Sequence, residues 1–304
     1  MDTLRSDQIL GELRELWASL GKAAEPGDAQ GVVRACSLTL IVFAEEADDP
    51  ASIGGTLAEL MREHPHRAIV VRVRPGPAAL LEHRVLAQCW MPSAGRQQIC
   101  CEQIEITAAE GSLADLPPVL LALRAPDLPV ALWYRSARLF DAPAPPSGKR
   151  ILDSAAAAEP LAMLQRLAQA SPAASPVADL AWTRLTHWRE ILAQEFDNPA
   201  SAALLPRVAE VCVFHTGQAV PPEACYLAGW VLDALGRQVE IRFEAAAEGA
   251  IEFRGPGFPP LRIAGCATAQ EASLLREELG ILGRDPVYDR ALVLAARIAG
   301  RDRG

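Results

Sequence analysis

Apolar residues recur at helical spacing from the first segment onward. Ile9, Leu13, Leu16, Trp17 and Leu20 predict a helix over 6–20, with Gly21 as a stop. After a polar linker at 27–31, residues 32–43 form an apolar, β-branched run of strand character. An acidic turn at 45–50 leads to a helix expected from a Ser52 cap to about Glu63, carrying Leu57, Leu60 and Met61. His64-Pro65-His66 breaks it in a surface turn, and R-A-I-V-V-R-V-R at 67–74 reads as a strand. Residues 82–90 and 98–106 read as two further strands about a turn at 92–95. A helix over 113–123 follows, then L-P-V-A-L-W-Y at 128–134, apolar enough for a strand covered on both faces. A Pro-rich loop at 141–148, a short strand around Ile151-Leu152 and a helix at 160–169 come next.

The segment S-P-A-A-S-P at 171–176 is the best linker candidate. Beyond it, Asp179 can cap one long helix to Phe196 on the stripe Ala181, Leu185, Trp188, Leu192 and Phe196. Residues 208–214 read as a strand and 221–235 as a helix capped by Gly236. Three short strands (238–244, 250–254, 260–265) and a mostly helical tail broken near 283–286 complete the chain. Both halves thus run strand, helix, three strands, helix. That order points to two related units, although their sequences do not align convincingly. The expected fold class is α/β: two layered α/β domains joined by a Pro/Ala/Ser linker. The expected boundaries are an N-terminal helix and linker (1–30), an N-terminal domain (31–170) and a C-terminal domain (177–304).

A length of 304 residues agrees with two domains and a large core without disulfide staples. Half of the residues are hydrophobic and 22% are charged, which excludes a disordered or collagen-like chain. The net charge of −9 argues against nucleic acid or an anionic membrane as partner. The first residues carry Asp2, Asp7 and Glu12 rather than the basic start and apolar core of a secretory signal. No run approaches the roughly 20 apolar residues of a membrane span. A soluble, cytoplasmic protein is expected.

Seven cysteines (36, 89, 100, 101, 212, 225 and 266) are an odd number and include no C-x-x-C. They are expected to be mostly small buried hydrophobes, not a disulfide framework, with the adjacent Cys100 and Cys101 on opposite faces of a strand. No phosphate-cradling loop, G-x-S-x-G elbow or H-E-x-x-H helix occurs. Cys212 and His215 can be drawn as a nucleophile pair, but a chain with seven cysteines offers such coincidences. The acidic pairs Glu45-Glu46, Asp48-Asp49 and Glu277-Glu278 read as solvated surface. No cofactor or metal is expected.

Two segments stand apart. In Asp127-Leu128-Pro129-Val130-Ala131-Leu132-Trp133-Tyr134-Arg135, a buried strand ends in two aromatics and an arginine, where loops of an α/β sheet carry function. In Asp179-Leu180-Ala181-Trp182-Thr183-Arg184-Leu185-Thr186-His187-Trp188-Arg189, Trp182 and Arg189 flank one side of the apolar stripe and Arg184 the other. Trp and Arg at such a margin suit docking onto a partner. They equally suit tying the helix to its own domain, through Arg184 or Arg189 to an acid such as Asp153.

These strings, with Glu63-His64-Pro65-His66-Arg67-Ala68, the Cys100-Cys101-Glu102 strand and Asp153-Ser154, resemble the OpcA family, the glucose-6-phosphate dehydrogenase assembly proteins. Tyr226-Leu227-Ala228-Gly229-Trp230-Val231 is similar to the family's second-domain helix. The likeness covers roughly residues 30–240. His187 stands where the family commonly has proline before Trp188. The resemblance implies a non-catalytic protein that binds glucose-6-phosphate dehydrogenase, promotes its active oligomer and activates it at the start of the oxidative pentose phosphate pathway. It makes Asp127, Pro129, Trp133, Tyr134, Arg135, Asp153, Asp179, Trp182, Arg184, Trp188 and Arg189 candidate partner-contact or signature residues. In cyanobacterial members cysteine redox state tunes the effect, which leaves Cys100 and Cys101 as redox candidates here. The alternative reading is a sugar-phosphate- or nucleotide-binding protein, or an unrecognised enzyme. Its pocket would lie near Trp133, Tyr134, Arg135 and Asp153, with Arg135 and Lys149 meeting the phosphate.

Overall fold

The run L-T-L-I-V-F-A at 38–44 is buried at every position, as a central strand covered on both faces must be. The chain reaches it through α1 (Ser6–Ala23), which buries Ile9 and Leu13, and a short strand β1 (Val32–Arg34). In the computed structural model, which describes residues 6–23, 32–77, 81–91, 97–170, 175–265 and 270–301, this strand is β2 (Leu38–Glu45). The expected linker at 27–31, most of that at 171–176, the turn at 92–95 and Cys266 lie outside the described residues.

α2 (Pro50–Leu60) starts earlier than Ser52 predicts. The Asp49 carboxylate accepts the amides of Ala51 (3.0 Å) and Ser52 (3.2 Å), and Pro50 takes the first helical position, where no amide is needed. β3 (His66–Arg74) then runs parallel to β2, pairing Leu38 with His66 and Glu45 with Val73. β4 (Leu81–Trp90) and β5 (Gln98–Ala109) form an antiparallel ribbon, and β5 also pairs in parallel with β3 and, at its start, with β1. A 3-10 turn leads into α3 (Leu116–Leu123). β6 (Val130–Tyr134) pairs in parallel with β2, and β7 (Lys149–Leu152) with β6. The strand order β5-β3-β2-β6-β7 puts the two most apolar strings, β2 and β6, side by side in the middle.

From here the chain builds a second unit. Its elements are α4 (Pro160–Gln169), β8 (Val177–Asp179), α5 (Leu180–Thr183), α6 (Thr186–Asp197), α7 (Pro199–Ala202), β9 (Glu210–His215), α8 (Pro222–Leu235), β10 (Glu240–Ala245), β11 (Ala250–Arg254) and β12 (Leu261–Ala264). α9 (Glu271–Gly280) returns to the first unit, and α10 (Pro286–Arg301) completes the second. The compact units are therefore Met1–Leu152 with Ala174–Pro176 and Glu271–Gly283, and Asp153–Ala173 with Val177–Gln270 and Arg284–Gly304. Both are α/β. The second sheet has the order β10-β9-β11-β12, with β9 and β10 parallel across α8 and β11 antiparallel to both neighbours. The two units share element order but not wiring. The first extends its sheet beyond β3, the second on the far side of β9.

The single helix expected from Asp179 to Phe196 is two. Thr183 turns its hydroxyl back onto the Asp179 carbonyl (3.2 Å), and Leu185 donates to Trp182 in a tighter turn, so the axis breaks at 184–185. The stripe survives the break: Ala181, Leu185, Trp188 and Leu192 are buried. Phe196 meets Phe253 edge-on at 5.0 Å. α8 ends on Gly236 in the left-handed conformation (φ 63°). In mid-helix, Gly229 lets α10 approach so closely that an added Cβ would lie 2.8 Å from the Ala291 carbonyl oxygen and 2.9 Å from the Ala295 nitrogen. No helix among the described residues is long and apolar enough to cross a membrane.

Three local expectations are corrected. His66 is not in a surface turn but opens β3, 1% exposed, with Nδ1 donating to the His64 carbonyl at 2.7 Å. Burial pulls its pKa down to about 4. Cys100 forms a disulfide with Cys89, its directly opposed partner on β4, so one cross-strand bridge exists where none was expected. Glu278 is not solvated: it pairs with the buried Lys149 ammonium and is 12% exposed.

Candidate functional site

In the first unit, the C-terminal end of β6 presents the residues marked by the sequence. Thr39 on β2 accepts the Ala125 amide through its hydroxyl (2.9 Å), and Asp127 takes a left-handed turn (φ 59°) that delivers Pro129 to the strand. Aspartate tolerates that conformation because its short side chain can bond locally. Asp127 and Pro129 remain exposed. Trp133 and Tyr134 are 1% and 2% exposed, and Tyr134 stacks on Phe43 at 5.1 Å. The Arg135 guanidinium lies 5.3 Å from the Trp133 ring centre and bonds Glu271 of α9 at 2.7 Å. Lys149 donates to the carbonyls of Glu278 (3.1 Å) and Ile281 (2.8 Å) besides its ion pair. The two cations expected to meet a sugar phosphate are thus fastened to α9 and the turn after it.

In the second unit, Asp179 is fully buried at the head of α5. Its Oδ1 accepts the amides of Ser154 (2.9 Å) and Ala181 (3.1 Å), and its Oδ2 accepts the Tyr226 hydroxyl (2.8 Å). Burial outweighs these bonds and pushes the carboxyl up to about 6. Trp182, 3% exposed, sits among Arg189 (3.7 Å above its ring), Tyr226 (5.8 Å) and Tyr288 (6.0 Å). Arg189 also donates to Thr186 Oγ1 at 2.8 Å. Arg184 grips Asp153 with both terminal nitrogens, one of them at 2.8 Å, and reaches Glu223 at 3.2 Å. These acids raise the guanidinium's proton affinity, through the Asp153 hydrogen bonds first. Trp188 donates its indole N–H to the Ala264 carbonyl at 3.1 Å.

The structure therefore brings the two sets together separately. Trp133, Tyr134 and Arg135 are held within the first unit, and Asp153, Asp179, Trp182, Arg184, Trp188 and Arg189 within the second. Tyr226, Tyr288, Ser154, Glu223 and Glu271 complete these networks without having stood out in the sequence. Of these, Tyr226 and Ser154 lay in recognisable strings. Cys212 and His215 are an odd number apart on β9, so their side chains leave opposite faces of the strand. Burial, with the Glu244 hydrogen bond adding to it, pushes the Cys212 thiol up to about 12, the reverse of an activated nucleophile.

Such an arrangement defines a two-unit α/β protein whose distinctive aromatic and charged side chains fasten its own elements. The model of the glucose-6-phosphate dehydrogenase subunit N-terminal domain matches residues 57–169, and that of the C-terminal domain of the same subunit matches 175–292. The chain belongs to the OpcA family. A relative in Nostoc punctiforme is 29% identical over 184 residues, 58% of this chain and 39% of its own length. One in Synechococcus elongatus is 28% identical over 227 residues, 71% of this chain and 47% of its own length. Both bear the name OxPP cycle protein OpcA, a name that is itself provisional. The chain spans less than half the length of these relatives.

Proposed function

We propose that this protein binds glucose-6-phosphate dehydrogenase, favours its active oligomer and raises its activity in the cytoplasm, without catalysing a reaction itself. The observation that carries this reading is the pair of family matches, which together span most of the chain from residue 57 to 292. The geometry supports it in one respect. Apart from the exposed Asp127, the candidate charged groups are already engaged inside their own units, as suits a protein that acts by presenting a surface. On this reading, contacts with the partner fall to those candidates that reach the surface: the exposed Asp127 and Pro129 and the half-buried Arg135, Asp153, Arg184 and Arg189. Trp133, Tyr134, Asp179, Trp182 and Trp188 serve by holding the fold. The test is to assay the dehydrogenase of the same organism with and without this chain, and to measure its oligomeric state in parallel. Higher turnover or tighter substrate binding, together with a larger oligomer, is expected. An enzyme unchanged in rate, substrate affinity and size overturns the reading.

A further inference from the structure

A charged hollow in the first unit lies where α1 and α3 face β1, β3 and β5, lined in part by Arg67 and Glu102 of the family-like strings. It encloses about 500 Å³, within the range of small-molecule sites. One part is apolar: Leu10, Leu13 and Trp17 from α1, with Ala122 and Pro126 opposite. The other part is cationic. Arg14, Arg34, Arg67 and Arg124 line it against two acids, Asp7 and Glu102. In a chain of net charge −9, a cavity with this excess of arginine runs against the overall balance.

The polar part is built rather than incidental. Glu102 is 3% exposed and gathers three donors from distant segments: the Trp17 indole N–H at 2.5 Å, Arg34 at 2.6 Å and the Arg67 Nε at 2.6 Å. Arg67 is itself 5% exposed and also donates to the Leu123 carbonyl at the end of α3 (2.7 Å). One carboxylate thus fixes the tryptophan and two guanidiniums, each of which keeps further N–H donors. Arg14 and Arg124 are exposed, and Arg14 gives its Nε to the Leu10 carbonyl (3.2 Å) while its terminal nitrogens keep further donors. A wall of apolar and indole surface beside buried and exposed guanidiniums complements an anion that carries a flat, apolar-faced ring.

We propose that this cavity binds a nucleotide, with the base against Leu10, Leu13 and Trp17 and the phosphate on Arg34, Arg14 and Arg124. The site is independent of the dehydrogenase reading, because binding is measured on the chain alone. The probes for titration calorimetry with the full chain are adenosine 5′-monophosphate, NADP+, adenosine and ribose 5-phosphate. One or both nucleotides should bind saturably, while adenosine and ribose 5-phosphate each bind at least about tenfold more weakly, for want of one charge-assisted contact or of the ring. Arg14→Ala with Arg124→Ala removes only exposed side chains and leaves the fold intact by circular dichroism. It should weaken nucleotide binding by about tenfold or more. Trp17→Leu, measured alongside, should weaken adenosine as much as it weakens the nucleotide. Failure of both nucleotides to bind, equal binding of ribose 5-phosphate, or unchanged affinity in the double arginine variant overturns the proposal.

Discussion

Replacing Asp179 by asparagine tests whether the second unit is assembled around a buried carboxyl. The folded carboxyl holds its proton up to about pH 6, while the ordinary value is 3.8. Between those limits the folded state binds more protons than the unfolded chain. Stability therefore falls as pH rises through that window, by about 3 kcal/mol in all, and the loss is complete above it. Asparagine keeps an oxygen for the Ser154 and Ala181 amides and carries no charge. Its NH2 replaces the oxygen that accepts from Tyr226, and the phenol can rotate to accept instead. Relief of the buried charge and one weakened hydrogen bond roughly offset, so Asp179→Asn should lie within about 2 kcal/mol of the wild type at neutral pH. Alanine strands two amides and a phenol in the core at about 1–3 kcal/mol each. Urea unfolding followed by tryptophan fluorescence gives both variants against pH. The wild type should gain on Asp179→Asn by about 2 kcal/mol on going from about pH 7 to about pH 4, the remainder appearing only below the ordinary value. A difference that stays flat across that range, or an asparagine variant as unstable as alanine, refutes the reasoning.

Two further outcomes follow from packing and covalent structure. Gly229→Ala places a methyl against the backbone of α10, so it should destabilise by about 1–3 kcal/mol instead of giving the usual gain of alanine in a helix. A melting temperature equal to or above that of the wild type would show that α8 and α10 are not in such contact. The Cys89–Cys100 bridge closes a loop with a sequence separation of 11, so Cys89→Ser should destabilise by about 3 kcal/mol and abolish any effect of reductant on unfolding. Peptide mapping without reductant must recover the two cysteines linked; if they are separate, the bridge is absent.

Much of the scaffold was legible because it is encoded locally. The apolar runs at 38–44 and 130–134 are buried at every position and lie adjacent in the sheet, and Gly236 ends its helix as expected. What stayed hidden depends on meetings between distant segments. Glu102 binds Trp17, 85 residues away, and Arg67, 35 residues away, and no periodicity reports such a convergence. Cys89 and Cys100 become opposed only once the β4–β5 register is set, and a one-residue slip would separate them. The turn at His64–His66 misled because proline and two histidines look solvent-facing. The buried His66 is held instead by a bond to the carbonyl of His64. Ser52 lost the cap of α2 to Asp49 because a carboxylate there can serve two amides at once. The return of α9 to the first unit rests on Glu271 meeting Arg135 and Glu278 meeting Lys149, pairs whose members lie more than a hundred residues apart.

The strings that mark the family are at the same time the strings that build the interior. In the run from Asp179 to Arg189, Asp179 closes the head of a helix, Trp182 fills an aromatic cluster, Arg184 clamps Asp153, and Trp188 bonds a strand end. Each requires a side chain of one shape and one hydrogen-bonding pattern, which makes the run both long and specific. His187 is the exception. It is 68% exposed, it meets Glu190 only at 3.5 Å, and it is the position at which this chain departs from the family's proline. Departure is tolerated where the side chain meets water, because little packing depends on it. A surface that recognises a partner has to be assembled from such outward positions, held in place by the buried ones. On the proposed function, Trp182 and Asp179 would serve a partner only through the shape of the unit they hold, and their loss should be felt in stability before it is felt in binding.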